Sequence, residues 1–317
     1  MSATAPIGSA SAPTRTRALL ASPVFGSARG DLIAAGVLSA VAGYVDAAGF
    51  LGLYGLYAAH VTGDLVAAGT TVAGGFDEGM LLRLSALFVF MISVASAALV
   101  TRAAHRRRQK PLTALFALLT ISLALFCAAG VLLRPQLKGP GELAVLVTSA
   151  LGVFGMGVQN ALMKDVLCSL GATTLMTGNL TQMTMDLVNV LLPDDQNGPS
   201  MHPSVDRRSR RIDLHRQLVK SSTAVFAFLL GTVLGGVAIT VFAFWSIALP
   251  AAAAAALTLV AWHQARTGEN RGARTPRPIA PRALVPKRIS GIQEIEPISR
   301  TWPLRARGES RAANGEK

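Results

Sequence analysis

Asp46, His60 and Asp64 are ionisable residues set within or beside long apolar runs. A charged group at that depth of a bilayer costs several kcal/mol unless it is paired or hydrated. His60 stands four residues before Asp64 and is a candidate partner for the buried carboxylate. A hydrated cluster of these three side chains can bind a cation or relay protons. The plainer reading has Asp46 hydrogen-bonding to a neighbouring helix or reaching interfacial water.

Asp64 belongs to a five-residue pattern that occurs twice, as Val61-Thr62-Gly63-Asp64-Leu65 and as Met176-Thr177-Gly178-Asn179-Leu180. Thr-Gly inside an apolar segment suggests a break in a helix. Non-helical backbone at membrane depth is tolerated only where protein or a water-filled cavity satisfies it. Gly63 and Gly178 are then expected to supply unusual backbone angles, and Asp64 and Asn179 to cap the half-helices that follow. The competing reading is that each Thr-Gly simply lets two helices pack closely. Asp46 precedes Thr62 by 16 residues and Asn160, beside Gln159, precedes Thr177 by 17. The second copy therefore carries neutral amides where the first carries carboxylates, which favours a path lined mainly by the first half. Thr173, Thr174, Thr181, Gln182, Thr184, Asp186 and Asn189 make the second motif segment polar, as a solute route or as helix-to-helix hydrogen bonds. Gly36, Ala40, Gly43 and Ala47, like Gly231 and Gly235, read as packing faces.

The elements that must position these residues follow from composition. Of 317 residues 51% are hydrophobic and 15% charged, against about 25% charged in soluble chains. A mean hydropathy of +0.45 points to an all-α, polytopic helical membrane protein. Six stretches approach the roughly 20 apolar residues that span a bilayer: Leu32–Tyr54, Leu84–Thr101, Leu112–Leu133, Leu143–Met163, Ser221–Trp245 and Ile247–Trp262, the last interrupted by Pro250. Between them lie two motif segments, about Tyr57–Gly74 and Leu170–Leu192. Lys and Arg concentrate at 102–110, at 207–220 and in the C-terminal tail. The positive-inside rule places all three in the cytoplasm. Those placements agree only if both motif segments are re-entrant, so that each half has three true spans and the second half is inverted. The expected organisation is a disordered cytoplasmic tail over 1–30 and a membrane domain over 31–262. Its repeat halves are 31–133 and 142–262, with a basic cytoplasmic insertion at 193–220. A disordered basic tail, 263–317, follows.

The net charge of +13 suggests nucleic acid in a soluble domain; here it sits in loops and tails and reads as topology, with no nucleic-acid partner. No metal-ligand, nucleophile or phosphate-loop pattern stands out, and no cofactor is expected; His202, Asp206, Asp213 and His215 are irregularly spaced in a basic loop. Cys127 and Cys168 imply no disulfide framework and read as small apolar fillers. Lys164 and Asp165 read as an interfacial pair. The partners implied are the bilayer and a small polar solute or ion, with anionic lipid headgroups against the tail and a homo-oligomer left open.

Gly43-Tyr44-Val45-Asp46-Ala47, Gly157-Val158-Gln159-Asn160-Ala161 and the two Thr-Gly motifs together resemble the YoaK-like family of uncharacterised bacterial multi-pass membrane proteins, over about Asp31–Trp262. The resemblance implies a compact helical domain in the bacterial inner membrane and carries no established activity. The family pattern has Thr-Gly-Asn in the first motif too; Asp64 departs from it and sets the two copies apart.

The sequence thus leads to a secondary transporter or channel, coupled to protons or another cation. Its candidate pathway residues are Asp46, His60, Thr62, Gly63, Asp64, Gln159, Asn160, Thr177, Gly178 and Asn179. The alternatives are a scaffold whose basic tail recruits a partner and, less favoured, a membrane-embedded enzyme using Asp46, His60 and Asp64 as acid and base.

Overall fold

The computed structural model describes residues 24–25, 27–75, 78–167, 176–192 and 203–274, without the side chains of 71–74, 203–211 and 268–274. Cys168, Thr173, Thr174, His202, the first part of the insertion and nearly all of both tails lie outside the described residues. Six long helices and two short ones make up the described chain: α1 (Ala28–Gly52), α2 (Val61–Gly74), α3 (Glu78–Arg106), α4 (Leu112–Leu133), α5 (Leu143–Asp165), α6 (Met176–Leu191), α7 (Pro203–Phe242) and α8 (Ala248–Arg274). Among the described residues five apolar stretches are long enough to cross a membrane, and the fifth, Ile212–Thr267, takes in most of α7 and α8. Pro250 sits in the first turn of α8, where its missing N–H has no helical acceptor to lose. Helix extends past the limits drawn from sequence: α1 begins at Ala28, α7 within the basic insertion, and α8 runs beyond Trp262 to Arg274.

The start of α1 is fixed locally. Ser27 Oγ accepts the N–H of Gly30 at 3.0 Å, meeting a donor that a helix start leaves open, and the Asp31 carboxylate accepts those of Val24 and Phe25 in the preceding turn at 3.2 and 2.7 Å.

Helix directions follow from contacts at the ends. Arg83 in the second turn of α3 donates to the Tyr54 carbonyl, just past the end of α1, at 3.4 Å. Glu78 accepts the N–H of Gly141, before α5, at 3.2 Å. Phe244, in the 3-10 turn Ala243–Ile247 between α7 and α8, wedges against Gly52 of α1 and Gly130 of α4, and Tyr44 donates its hydroxyl to the Ser246 carbonyl at 3.0 Å. All these groups share one end of the bundle, so α1, α4 and α7 run toward it and α3, α5 and α8 away from it. The segment joining α1 to α3, with α2 in it, leaves and returns at that end. The segment joining α5 to α7, with α6 in it, does the same at the other. At 14 and 16 residues, α2 and α6 are about 21 and 24 Å long, short of a hydrocarbon core of about 30 Å.

Packing between apolar helices in lipid relies on close fit more than on expulsion of water. The tightest fit joins α1 and α7 in parallel: Gly43 faces the Phe228 backbone, Gly231 that of Ala40, and Gly235 that of Tyr44, each so close that a Cβ would collide. The two small-residue stripes seen in the sequence are therefore one interface. On the other side α5 packs on α3, where a Cβ on Gly157 would meet Ser93 Oγ at 2.6 Å and Ser93 donates to the Phe154 carbonyl. The core between these pairs is lined by Leu38, Val45, Phe116, Phe126, Met156 and Leu162, all fully buried.

Candidate functional site

The candidate residues of the first half converge where the chain turns back after α1. Tyr54 and Gly55 adopt positive φ (57° and 77°), a conformation glycine takes without strain, and reverse the chain. The following segment then descends beside α1, passing so close to Gly49 that a Cβ there would meet the Leu56 carbonyl oxygen at 2.9 Å. Leu53, Leu56, Ala58 and Ala59 are all buried. Buried loop backbone must find hydrogen-bond partners, and two carboxylates provide them. Asp46 Oδ1 accepts the N–H of Ala59 at 2.6 Å, and Asp64 Oδ1 accepts that of Tyr57 at 3.0 Å.

The second oxygens differ. Asp46 Oδ2 is hydrogen-bonded to His60 Nδ1; a carboxylate only accepts, so an ionised Asp46 selects the imidazole tautomer with its proton on Nδ1. The ring of His60 stands edge-on to Phe228 of α7, with centroids 5.3 Å apart. Asp64 Oδ2 has no hydrogen-bond partner, although Asp64 is 0% and Asp46 4% exposed. The charges acting on Asp64 come from Asp46, His60 and Arg83. Two carboxylates thus offer four oxygens, of which three serve the loop and its histidine, and one is buried without a hydrogen-bond partner.

Two expectations are corrected here. Thr62 and Gly63 do not break a helix; they lie in the first turn of α2, and the break is the loop before it. Gly63 has ordinary helical angles, and its nearest neighbour is the Tyr57 ring, 3.2 Å from where a Cβ would be. Asp64 is not the cap either. His60 holds that position without a side-chain cap bond, while Asp64, one turn on, reaches back to the loop. Thr62 is exposed and stays outside the cluster.

The second-half residues are more dispersed. Gln159 is fully buried and donates Nε2–H to the Leu38 carbonyl at 2.8 Å, eight residues or roughly 12 Å along α1 from Asp46. It tethers α5 to α1, and its Oε1 has no partner. Asn160 donates to the Met156 carbonyl on its own helix at 3.2 Å and makes further contacts. Thr177 and Gly178 do not break a helix either: they lie in the first turn of α6, Gly178 without a positive φ, and both are exposed, with nothing within 4 Å of a Cβ on Gly178. Asn179 is half-buried in the first turn of α6 and has partners of its own.

Arg83 was not among the residues singled out from sequence; the signal for it is a lone cation between Leu82 and Leu84. Its Nε is buried without a partner, while its terminal nitrogen is held by the Tyr54 carbonyl, and its charge acts on Asp64. Among the described residues no group of three or more His, Cys, Asp or Glu side chains is arranged to hold a metal ion. Cys127 donates weakly to the Phe244 carbonyl at 3.4 Å.

Fold and site together define a multi-pass helical membrane protein with a buried acidic pair held against a buried loop. The chain belongs to the family described as Protein of unknown function (DUF1275), which matches residues 34–260. No curated protein and no solved structure matches it.

Proposed function

We propose that this chain is a secondary transporter or channel for a small polar solute or ion, coupled to protons or another cation, and not an enzyme. One observation carries the reading: Asp64 Oδ2 is buried, ionisable and bare, on a short helix whose first turn is delivered into the bundle by a buried loop. Burying a carboxylate oxygen unpaired is costly, and a cation arriving and leaving gives that cost a use. His60 extends the site, since Nε2 can take a proton while Asp46 holds Nδ1.

An inverted repeat fits the packing. Gly43 and Gly157 occupy matching positions of the two motifs; Gly43 receives Phe228 and Thr232 of α7, and Gly157 receives Phe90 and Ser93 of α3. Each motif helix also packs on the long helix that follows it. Such architectures move solutes by rocking one half against the other around a central site. Arg102, Arg106, Arg107, Arg108, Lys110, Lys164, Arg216 and Lys220 belong to the end of the bundle opposite Gly52, which we assign to the cytoplasm with both termini. The resemblance to the YoaK-like family agrees with a bacterial inner membrane.

The test is flux into proteoliposomes carrying purified protein, read with a trapped pH-sensitive dye under an imposed sodium or proton gradient. Wild type should pass the coupling ion, and Asp64→Asn should abolish its movement. Equal flux in wild type, Asp64→Asn and Asp46→Asn would overturn the coupling.

A further inference from the structure

The second re-entrant segment carries a buried carboxylate that the site above leaves unused. Asp186 is 1% exposed and is the one fully buried residue of α6, whose remaining side chains are exposed or half-buried. Gln182, one turn earlier, donates Nε2–H to Asp186 Oδ1 at 2.8 Å, and Oδ2 has no hydrogen-bond partner. This is the division found at Asp64, where a single neutral donor occupies Oδ1 and Oδ2 is bare.

A neutral amide on one oxygen does not balance a buried negative charge. The ion pairs among the described residues are His60 with Asp46 and Lys138 with Glu142; neither includes Asp186. Asp213, His215, Arg216 and Lys220 are the charged or titratable groups among the described side chains of α7, the helix packed on α6, and all are exposed in its first half. The other side chains of α6 carry no charge. Among the described side chains none is ion-paired with Asp186, which leaves Oδ2 open to a counter-charge from solution.

We propose that Asp186, oriented by Gln182, is a second cation-binding position, entered from the end of the bundle opposite to that of Asp64, and that it takes a monovalent cation, a proton or an alkali ion, on Oδ2. On the transport reading, which this inference deepens, the two carboxylates are the outer and inner stations of one path, and the second half is not the neutral half that its Thr-Gly-Asn motif suggests.

Modification by dicyclohexylcarbodiimide tests the site without needing transport. A protonated carboxyl adds its O–H across one C=N bond of the reagent, and the product rearranges to an N-acylurea with no leaving group, so the peptide gains the whole mass of the reagent. Purified full-length protein is treated in detergent, in acid and alkaline buffers, with sodium, potassium or choline chloride, and the peptide containing Asp186 is weighed. Labelling at Asp186 that rises toward acid and ignores the salt supports a proton. Labelling suppressed by sodium or potassium but not by choline supports an alkali ion. Asp186→Asn must lose the adduct, and Gln182→Leu should change its dependence on pH or salt. No adduct at Asp186 under any condition, or an adduct indifferent to both pH and cation, overturns the proposal. Proteoliposomes that move no ion while Asp186 still labels in a cation-dependent way would sink the transport reading and leave this site standing.

Discussion

The carboxylate of Asp46 accepts the backbone N–H of Ala59 at 2.6 Å, a bond by which a residue in the body of α1 holds the chain that leads into α2. Removing the acceptor while the loop stays buried strands an amide, at a cost of about 1–3 kcal/mol. Asp46→Ala should therefore lower the unfolding midpoint in detergent clearly, while Asp46→Asn, whose side-chain oxygen can still accept, should lie close to wild type. An equal loss in both variants would mean that charge, not the hydrogen bond, secures the loop.

The same pair fixes the histidine. His60 should carry its proton on Nδ1 in the wild type, because Asp46 Oδ2 only accepts. In Asp46→Asn the amide nitrogen can turn toward the ring, and the neutral tautomer should shift to Nε2–H. Nitrogen-15 chemical shifts of the labelled imidazole distinguish the two, and an unchanged tautomer would contradict the assignment.

Glycines of the two kinds should respond oppositely to added bulk. Gly43→Val drives a side chain into the Phe228 backbone and should leave little monodisperse protein on size-exclusion chromatography. Gly178→Ala meets nothing within 4 Å and replaces a poor helix former, so it should be tolerated and gain up to about 1 kcal/mol. Thermal unfolding of both reads the contrast.

Arg83 acts on Asp64 with a charge of the same sign as the cation proposed to bind there. Arg83→Gln should therefore raise cation affinity, seen as a several-fold lower half-saturating concentration in the flux assay. A weaker affinity would show that Arg83 serves chiefly to anchor the Tyr54 carbonyl.

The direction of the bundle can be read with a membrane-impermeant thiol reagent on intact cells, after Cys127 and Cys168 are replaced by serine. Lys138→Cys should label from outside, and Arg107→Cys and Arg216→Cys only after the cells are opened. Labelling of Lys138 and Arg216 from the same side would break the proposed topology.

Much of this fold was legible because hydropathy marks long helices, and basic residues at 102–110 and 207–220 count the turns between them. The re-entrant reading of both motif segments comes from that counting, and the contacts of Arg83, Glu78 and Phe244 place the ends of α1, α4 and α7 and the starts of α3, α5 and α8 together, an arrangement that agrees with it for the first segment. The mutual approach of Asp46, His60 and Asp64 was also within reach, as spacing and cost both argued for partners. What the residues did not disclose is the path of 53–60. A loop that packs along its own preceding helix is decided by Gly49, Leu56 and two carboxylates acting together, and no local period encodes it. For that reason Thr62-Gly63 was read as the break and Asp64 as the cap. Asp186 was visible only as one polar residue among many; its burial depends on how α6 packs on α7, which the pattern of α6 itself does not encode.

The parallel union of α1 with α7 bears on how the protein is made. Tyr44 and Ser246, which meet there, are 202 residues apart. While the ribosome is still adding most of the chain, α1 waits in lipid without its principal neighbour, the glycine face that α7 will cover left open. Nascent protein should accordingly be most vulnerable to quality-control proteases until α7 has been inserted, and chains truncated before Gly231 should be degraded rather than accumulate as half-molecules.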